Sequence, residues 1–103
     1  MTPYERVLPH DTQNLIEEFL LERFIGTATQ LAAADVIEAE IERIVANPML
    51  GASVPDGPFE KRRIYRFKIA VGDQRLLAEF AYSINKERAV VVFSGFQEVR
   101  APL

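Results

Sequence analysis

The 103-residue chain contains no cysteine and no tryptophan, and it has one histidine, His10. Without cysteine it cannot form disulfides, zinc–thiolate sites or thiol nucleophiles. A lone histidine that follows Pro9 at a helix start is typical of an exposed flanking residue, not of a metal site. No apolar run approaches the roughly 20 residues that cross a bilayer, and the N-terminus lacks the pattern of a secretion signal. The sequence therefore predicts a cytoplasmic protein with no metal, no cofactor and no membrane partner.

The composition is that of one globular domain, predicted to span residues 1–103. Hydrophobic residues make up 49% of the chain and charged residues 26%, and a chain of this length buries roughly 60–70% of its unfolded surface. The glycines and prolines between residues 48 and 58 form no phosphate-loop pattern. Ser53, Ser83 and Ser94 have no histidine and aspartate in a recognisable catalytic order. Nucleotide binding and a serine triad are therefore disfavoured.

The net charge of −3 hides a division between the two halves of the chain. Residues 1–49 carry nine acids and three bases, a net charge of −6, whereas residues 50–103 carry six acids and nine bases, a net charge of +3. Such asymmetry marks a candidate interaction surface. The acidic total alone therefore does not exclude a nucleic-acid partner.

Helical periodicity predicts a first helix from about Asp11 to Arg23. Asp11 or Thr12 is the expected N-cap, because a short side chain bearing oxygen accepts from the free amides of the first turn. Gly26 suits the left-handed residue that ends a helix. The apolar residues with this spacing are Leu15, Ile16, Phe19, Leu20 and Phe24.

A second helix is predicted to start at Thr27, with Gln30 in the capping-box position. It ends before Pro48, because proline disfavours the helical conformation in the residue that precedes it. Residues 48–60 are predicted to be a loop, and Tyr4 to Leu8 a short edge strand. Strands follow at about 61–71, 74–83 and 89–95. The predicted fold class is α+β, with a helical hairpin on one face of a small antiparallel sheet in the order (β)ααβββ.

A tight turn at Gly72-Asp73 fixes which residues lie opposite each other in the first hairpin. Val71 then faces Gln74, and the pairing continues outward with side chains alternating between the two faces. The apolar face, predicted to pack on the helices, pairs Tyr65 with Phe80, Phe67 with Ala78, and Ile69 with Leu76. The opposite face pairs Arg66 with Glu79, Lys68 with Leu77, and Ala70 with Arg75.

Three cations, Arg66, Lys68 and Arg75, are thus predicted on the exposed face, and Arg62 extends the group. One interpretation is a solvated surface on which Arg66 and Glu79 form an ion pair that contributes about 0–1 kcal/mol. The other is a site that binds phosphates, in which arginine supplies forked donors and stabilises the charge of a transition state. Spacing alone leaves both open.

Several short motifs resemble the RelE/ParE toxin superfamily of bacterial type II toxin–antitoxin systems. The helical hairpin ends in Asn47-Pro48-Met49-Leu50-Gly51, and a loop then leads to Tyr65-Arg66-Phe67-Lys68-Ile69. Arg75-Leu76-Leu77 comes seven residues after Lys68, and the last strand, Val90-Val91-Val92-Phe93, ends in Ser94-Gly95. The resemblance covers most of the chain and implies the compact fold of that family.

In the RelE branch, such toxins enter the ribosomal A site and cleave mRNA without a metal. By matching position, the resemblance implies that Arg66 and Lys68 contact the RNA backbone or help to activate the nucleophile, and that Arg75 stabilises the phosphate charge. These three are the expected catalytic residues of a metal-independent endoribonuclease. The expected RNA-binding residues are Arg62, Arg66, Lys68 and Arg100. The implied partners are a cognate antitoxin, in a toxin–antitoxin hetero-oligomer, and the ribosome with its mRNA.

The end of the chain departs from the catalytic branch, which usually has a further base or histidine and a tyrosine after the last strand. Here Gln97 stands at the position of the base, and no tyrosine follows Tyr82. Arg100 is a candidate for the missing cation and Phe96 for the stacking ring. Because glutamine does not titrate near neutral pH, two alternatives stay open. One is a ParE-like inhibitor of DNA gyrase that acts by protein–protein contact; the other is a non-catalytic interaction module.

Overall fold

The computed structural model describes residues 3–56 and 60–100; residues 57–59 of the predicted loop and the tail at 101–103 lie outside the described residues. The strands form one sheet in the order β1-β5-β4-β3-β2. Both helices pack on one face of it, which confirms the predicted architecture. The elements are β1 Glu5–Val7, α1 His10–Arg23, α2 Thr27–Ala46, a 3₁₀ turn Pro48–Leu50, β2 Ala52–Asp56, β3 Glu60–Val71, β4 Gln74–Asn85 and β5 Val90–Val99.

The two edges of the sheet differ from the prediction. The edge strand β1 pairs parallel to β5, so the sheet is mixed and not purely antiparallel. The predicted loop at 48–60 contains a second edge strand, β2, which runs antiparallel to β3. Pro55 is tolerated in β2 because proline has no backbone N–H, and an edge strand has one side on which no N–H is needed for a hydrogen bond to a neighbouring strand. The proline and glycine content therefore indicated a loop where an edge strand forms.

Both predicted helix caps are wrong, because α1 begins at His10, before Asp11 and Thr12, and α2 has Gly26 as its N-cap. Pro9 precedes α1 with no side-chain cap, and the buried Thr12 hydroxyl donates to the Phe93 carbonyl oxygen at 2.7 Å. This bond fastens α1 to β5. The Gln30 amide donates to the carbonyl oxygen of Phe24 at 3.0 Å instead of closing a capping box. Gly26 does not end α1 as predicted, because the extended Phe24 is the C-cap of that helix. It precedes α2 as its N-cap instead, with a φ of +87° that favours glycine.

The core between the helices and the sheet centres on Phe80, which is 0% exposed. Its ring centroid lies 5.5 Å from that of Phe67, 5.2 Å from that of Phe93 and 5.2 Å from that of Phe96. Ring pairs at these separations add to the free energy gained by burial. Buried helix residues complete this core, among them Phe19, Phe24, Ile37, Ile41 and Ile44.

A β-bulge at Ser94 decides which residues of β5 face the core. The register passes from Ala81 opposite Gly95 to Tyr82 opposite Phe93, so Ser94 is an extra residue with no partner on β4. An extra residue shifts the alternation of side chains by one position. Phe93 and Phe96 consequently both face the core, and Gly95 and Gln97 face the opposite side of the sheet.

Tyr82 fastens the segment after α2 to the sheet. Its buried hydroxyl donates to the Pro48 carbonyl oxygen at 2.7 Å and accepts from the Gly51 amide at 2.8 Å. Burial raises the pKa of the Tyr82 phenol, and the bond from Gly51 acts in the opposite direction.

Replacing Tyr82 with phenylalanine is expected to lower the free energy of unfolding by about 1–3 kcal/mol at pH 7, because a buried donor and a buried acceptor lose their partner. The difference should shrink as the pH rises above about 10, since the unfolded wild-type chain then loses the phenolic proton before the folded chain does. Urea denaturation of both proteins between pH 7 and pH 11 measures this. A difference that stays constant over the whole range would contradict the role given to the hydroxyl.

Candidate nucleic-acid interface

The face of the sheet turned away from the helices, hereafter the open face, carries the predicted cations. The register places Arg66 opposite Glu79, Lys68 opposite Leu77 and Ala70 opposite Arg75, as the tight turn predicted. Arg66, Lys68 and Arg75 are all exposed. Arg66 and Lys68 stand two residues apart on β3, about 6–7 Å, and Arg75 lies diagonally across from Lys68, about 7–8 Å away. The three side chains thus reach a common stretch of surface.

Glu79 lies beside this group and is only 8% exposed. The Arg66 Nε atom donates to its Oε2 at 3.1 Å, and the Gln97 Nε2 atom donates to its Oε1. The predicted cross-strand ion pair is therefore present, with an additional glutamine on the other carboxylate oxygen. The bond from Gln97 follows from the bulge at Ser94, which turns this residue toward the open face.

The Arg75 guanidinium contacts the hairpin turn. Its Nη1 donates to the carbonyl oxygens of Gly72 at 2.9 Å and Gln74 at 2.8 Å. Both contacts are exposed, where such bonds compete with water and contribute little. An anionic ligand on the open face would thus meet an arginine that has no ion-pair partner among the described residues.

The structure separates Arg62 from Arg100. Arg62 is half-buried on β3, opposite Val54 of β2, and lines a groove on the open face together with Glu79. Arg100 lies beyond the end of β5, where its Nε is 3.9 Å from Glu98 Oε2, and it lines a cavity with the acids of α1. Arg100 is thus not brought together with Arg66, Lys68 and Arg75.

Phe96 does not stand in for an exposed stacking ring. It is 6% exposed, and its ring centroid lies 5.2 Å from that of Phe19 in the core. The bulge at Ser94 causes this difference, because it turns Phe96 inward. A glycine within a strand, as in Ser94-Gly95, is the sequence feature that indicates such a bulge.

A groove of about 310 Å³ lies on the open face beside Glu79 and Gln97. Its floor is formed by the cross-strand pair Ala81 and Gly95, whose small or absent side chains leave a depression. Ile64 of β3 and Leu15 of α1 also line the groove, which therefore extends from the open face to the first helix. Sequence reasoning missed this groove, because it depends on the register beyond the bulge.

A second exposed surface lies on the helical hairpin. Leu21, Ile25 and Leu31 are 69%, 94% and 61% exposed. Leu21 and Leu31 line an apolar groove of about 290 Å³ between the two helices, with Glu17 at its rim. Clustered apolar side chains in such a groove are typical of a surface that binds another protein.

Within residues 3–56 and 60–100, no three histidine, cysteine, aspartate or glutamate side chains are grouped so that they could bind a metal ion. Among the helices of that same part of the chain, none is long and apolar enough to cross a membrane.

The chain has a RelE-like fold. This chain superposes on a structure of the E. coli toxin RelE with a TM-score of 0.53 and 12% sequence identity. That structure is of a free RelE variant in which two arginines are replaced by alanine. The superposition covers 92% of this chain and 82% of the RelE chain. No protein-family model and no curated protein matches the sequence. The predicted RelE-like fold is confirmed by this similarity in structure.

Proposed function

We propose that the chain is the toxin of a toxin–antitoxin pair and that it inhibits translation by cleaving mRNA on the ribosome. The observation that carries the proposal is the group formed by Arg66, Lys68 and Arg75 on the open face of a RelE-like fold. Like charges at this spacing repel one another, and an anionic backbone relieves the repulsion. RNA supplies such a backbone with one phosphate for each nucleotide.

The reaction proposed is attack of a ribose 2′-hydroxyl on the adjacent phosphate, which forms the bond from the 2′-oxygen to phosphorus and breaks the bond to the 5′-oxygen of the next nucleotide. The products are a 2′,3′-cyclic phosphate and a 5′-hydroxyl, and the proton that the 2′-hydroxyl releases to solvent is balanced by the one that the leaving oxygen takes up. Negative charge builds up on the phosphate oxygens in the transition state, and positioned cations stabilise it. Arg75 is assigned this role because its forked guanidinium matches phosphate geometry. Lys68, diagonally opposite, holds the same phosphate or the nucleophile, and Arg66 holds the backbone beside it.

Glu79 positions Arg66 in this scheme. The 3.1 Å bond from Arg66 Nε leaves the two terminal nitrogens of the guanidinium available to an anion. A carboxylate that accepts from a guanidinium also fixes the direction of its plane. The buried acid therefore orients the arginine while the adjacent cations retain the positive charge of the surface.

The proposed antitoxin covers two surfaces. An acidic segment on the open face would neutralise Arg66, Lys68 and Arg75, which blocks access of RNA to the same side chains. The apolar groove of the hairpin, with Leu21 and Leu31, suits an apolar helix face of the same partner. A partner that covers the hairpin would also bury Ile25, which is 94% exposed in the free chain.

Growth after induction tests the proposal in cells. Wild-type chain is expected to arrest growth with loss of protein synthesis, whereas the triple variant Arg66→Ala, Lys68→Ala and Arg75→Ala is expected to permit growth. Arg88→Ala is the matched control, because Arg88 is an exposed arginine in the turn between β4 and β5 and does not belong to the group formed by Arg66, Lys68 and Arg75. Arrest with a DNA supercoiling defect and intact mRNA would favour gyrase inhibition, and no arrest from folded protein would favour a non-catalytic module.

A further inference from the structure

The groove on the open face combines an apolar floor with a polar end that can accept hydrogen bonds from a ligand. Ala81 and Gly95 form the floor, and Glu79 and Gln97 occupy the next cross-strand pair along the same two strands. Apolar grooves with a few convergent polar groups are the usual form of a site for a small ring-shaped ligand. The volume of about 310 Å³ is at the lower end of the range for such sites.

Glu79 and Gln97 retain free acceptor positions at the polar end, and Arg62, which also lines the groove, carries donors. Each carboxylate oxygen of Glu79 has two lone-pair positions, of which Gln97 uses one on Oε1 and Arg66 uses one on Oε2. One acceptor position therefore remains on each oxygen. Because the Gln97 amide donates through Nε2, its carbonyl oxygen is also turned away from Glu79.

We propose that this groove binds an unpaired guanine of the RNA substrate, with Glu79 accepting from the guanine N1–H and N2–H groups. Guanine alone among the four bases places two N–H donors side by side on its Watson–Crick edge, and these match the two oxygens of one carboxylate. In this complex the flat ring lies over Ala81 and Gly95, in the groove that Leu15 and Ile64 also line. Single-stranded RNA is commonly read through such edges.

The position of the groove next to the cations links base and backbone recognition. Arg66 donates to the same carboxylate that receives the guanine, so a phosphate held by Arg66 and a base held by Glu79 belong to adjacent parts of one strand. The inference rests on the proposed function, because it takes RNA as the ligand. It adds to that function a preference for guanine near the phosphates that the basic side chains hold.

Binding of short RNAs to the purified protein tests the inference apart from cleavage. Fluorescence anisotropy at about 50 mM salt would compare uridine hexamers that carry one guanine, inosine, adenine or cytosine, and a hexamer of uridine alone. The guanine hexamer is expected to bind about tenfold more tightly than the adenine hexamer, a typical size for a two-bond contact to a base. Inosine, which lacks the N2 amino group, should lose most of this preference.

Two variants separate base reading from general affinity. Glu79→Gln replaces one acceptor by a donor, and a glutamine side chain pairs with adenine, so adenine should then bind at least as tightly as guanine. Gly95→Val fills the floor, and its Cβ would meet the Ala81 Cβ at 3.6 Å, an ordinary van der Waals distance. It should abolish the guanine preference without weakening binding to uridine alone. Ala70→Val, also exposed on the open face but outside the groove, is the control and should keep the preference.

The outcomes distinguish this inference from the proposed function. Equal binding of all hexamers by the wild-type protein, or an unchanged guanine-to-adenine ratio in Glu79→Gln, would overturn the guanine site while RNA binding stands. If no hexamer binds and folded protein leaves mRNA intact, the proposed function and the guanine site both fall. A guanine preference that switches to adenine in the variant supports the site, since a merely structural carboxylate would not change which base is preferred.

Discussion

Replacing Phe80 with alanine is expected to lower the free energy of unfolding by about 3–5 kcal/mol, the range measured for buried phenylalanines. Phe80 is 0% exposed and touches three other aromatic rings, so the loss includes burial, ring contacts and a cavity. Small domains are stable by only about 5–15 kcal/mol. The variant is therefore expected to lie close to the limit of folding.

Urea denaturation monitored by circular dichroism measures this effect. Leu21→Ala is the matched control, since Leu21 is 69% exposed and its truncation should change the free energy by no more than about 0.5 kcal/mol. If the two variants were equally stable, the aromatic cluster would not be the centre of the core.

Arg75→Ala is expected to have the largest effect on function, a reduction of about 10²–10³-fold in the rate of mRNA cleavage. Among the described residues, the arginine donates to exposed carbonyl oxygens of the hairpin turn alone, so its loss should leave the free energy of unfolding within about 0.5 kcal/mol of the wild-type value. If Arg75 stabilises charge in the transition state, its loss should lower the cleavage rate strongly and leave the stability of the fold unchanged.

Arg75→Lys and Arg88→Ala refine this experiment. Lysine keeps the charge and loses the forked donors, so an intermediate rate is expected. Arg88→Ala removes the same number of charges from an exposed turn and should cleave at the wild-type rate. Equal losses in Arg75→Ala and Arg88→Ala would mean that net charge alone, and not the position of Arg75, determines the rate.

The sequence predicted those parts of the fold whose geometry is set locally. The two-residue turn at Gly72-Asp73 determines the register of β3 and β4, so the opposition of Arg66 and Glu79 follows from the positions of these residues in the chain. Apolar spacing likewise located both helices, and Pro48 marked the end of the second. In each case one short-range rule was sufficient.

The features that escaped prediction depend on distant partners. The strand β2 contains Pro55 and forms only because β3 offers it an edge to pair with. The Thr12 hydroxyl does not cap the helix, because it donates a hydrogen bond to the carbonyl oxygen of Phe93, far along the chain. The same holds for the open face, where one extra residue, Ser94, places Gln97 beside Glu79 and Phe96 in the core. With regular alternation and no bulge, Gln97 would face the core and Phe96 would face the open face.

Cleavage of mRNA on purified, programmed ribosomes tests the central claim most directly. Wild-type protein is expected to cut the message within the codon in the ribosomal A site, and to do so without added metal beyond what the ribosome requires. The triple variant Arg66→Ala, Lys68→Ala and Arg75→Ala should leave the message intact while remaining folded. Intact mRNA with folded wild-type protein, or equal cleavage by the triple variant, would contradict the assignment of the open face as a ribonuclease site.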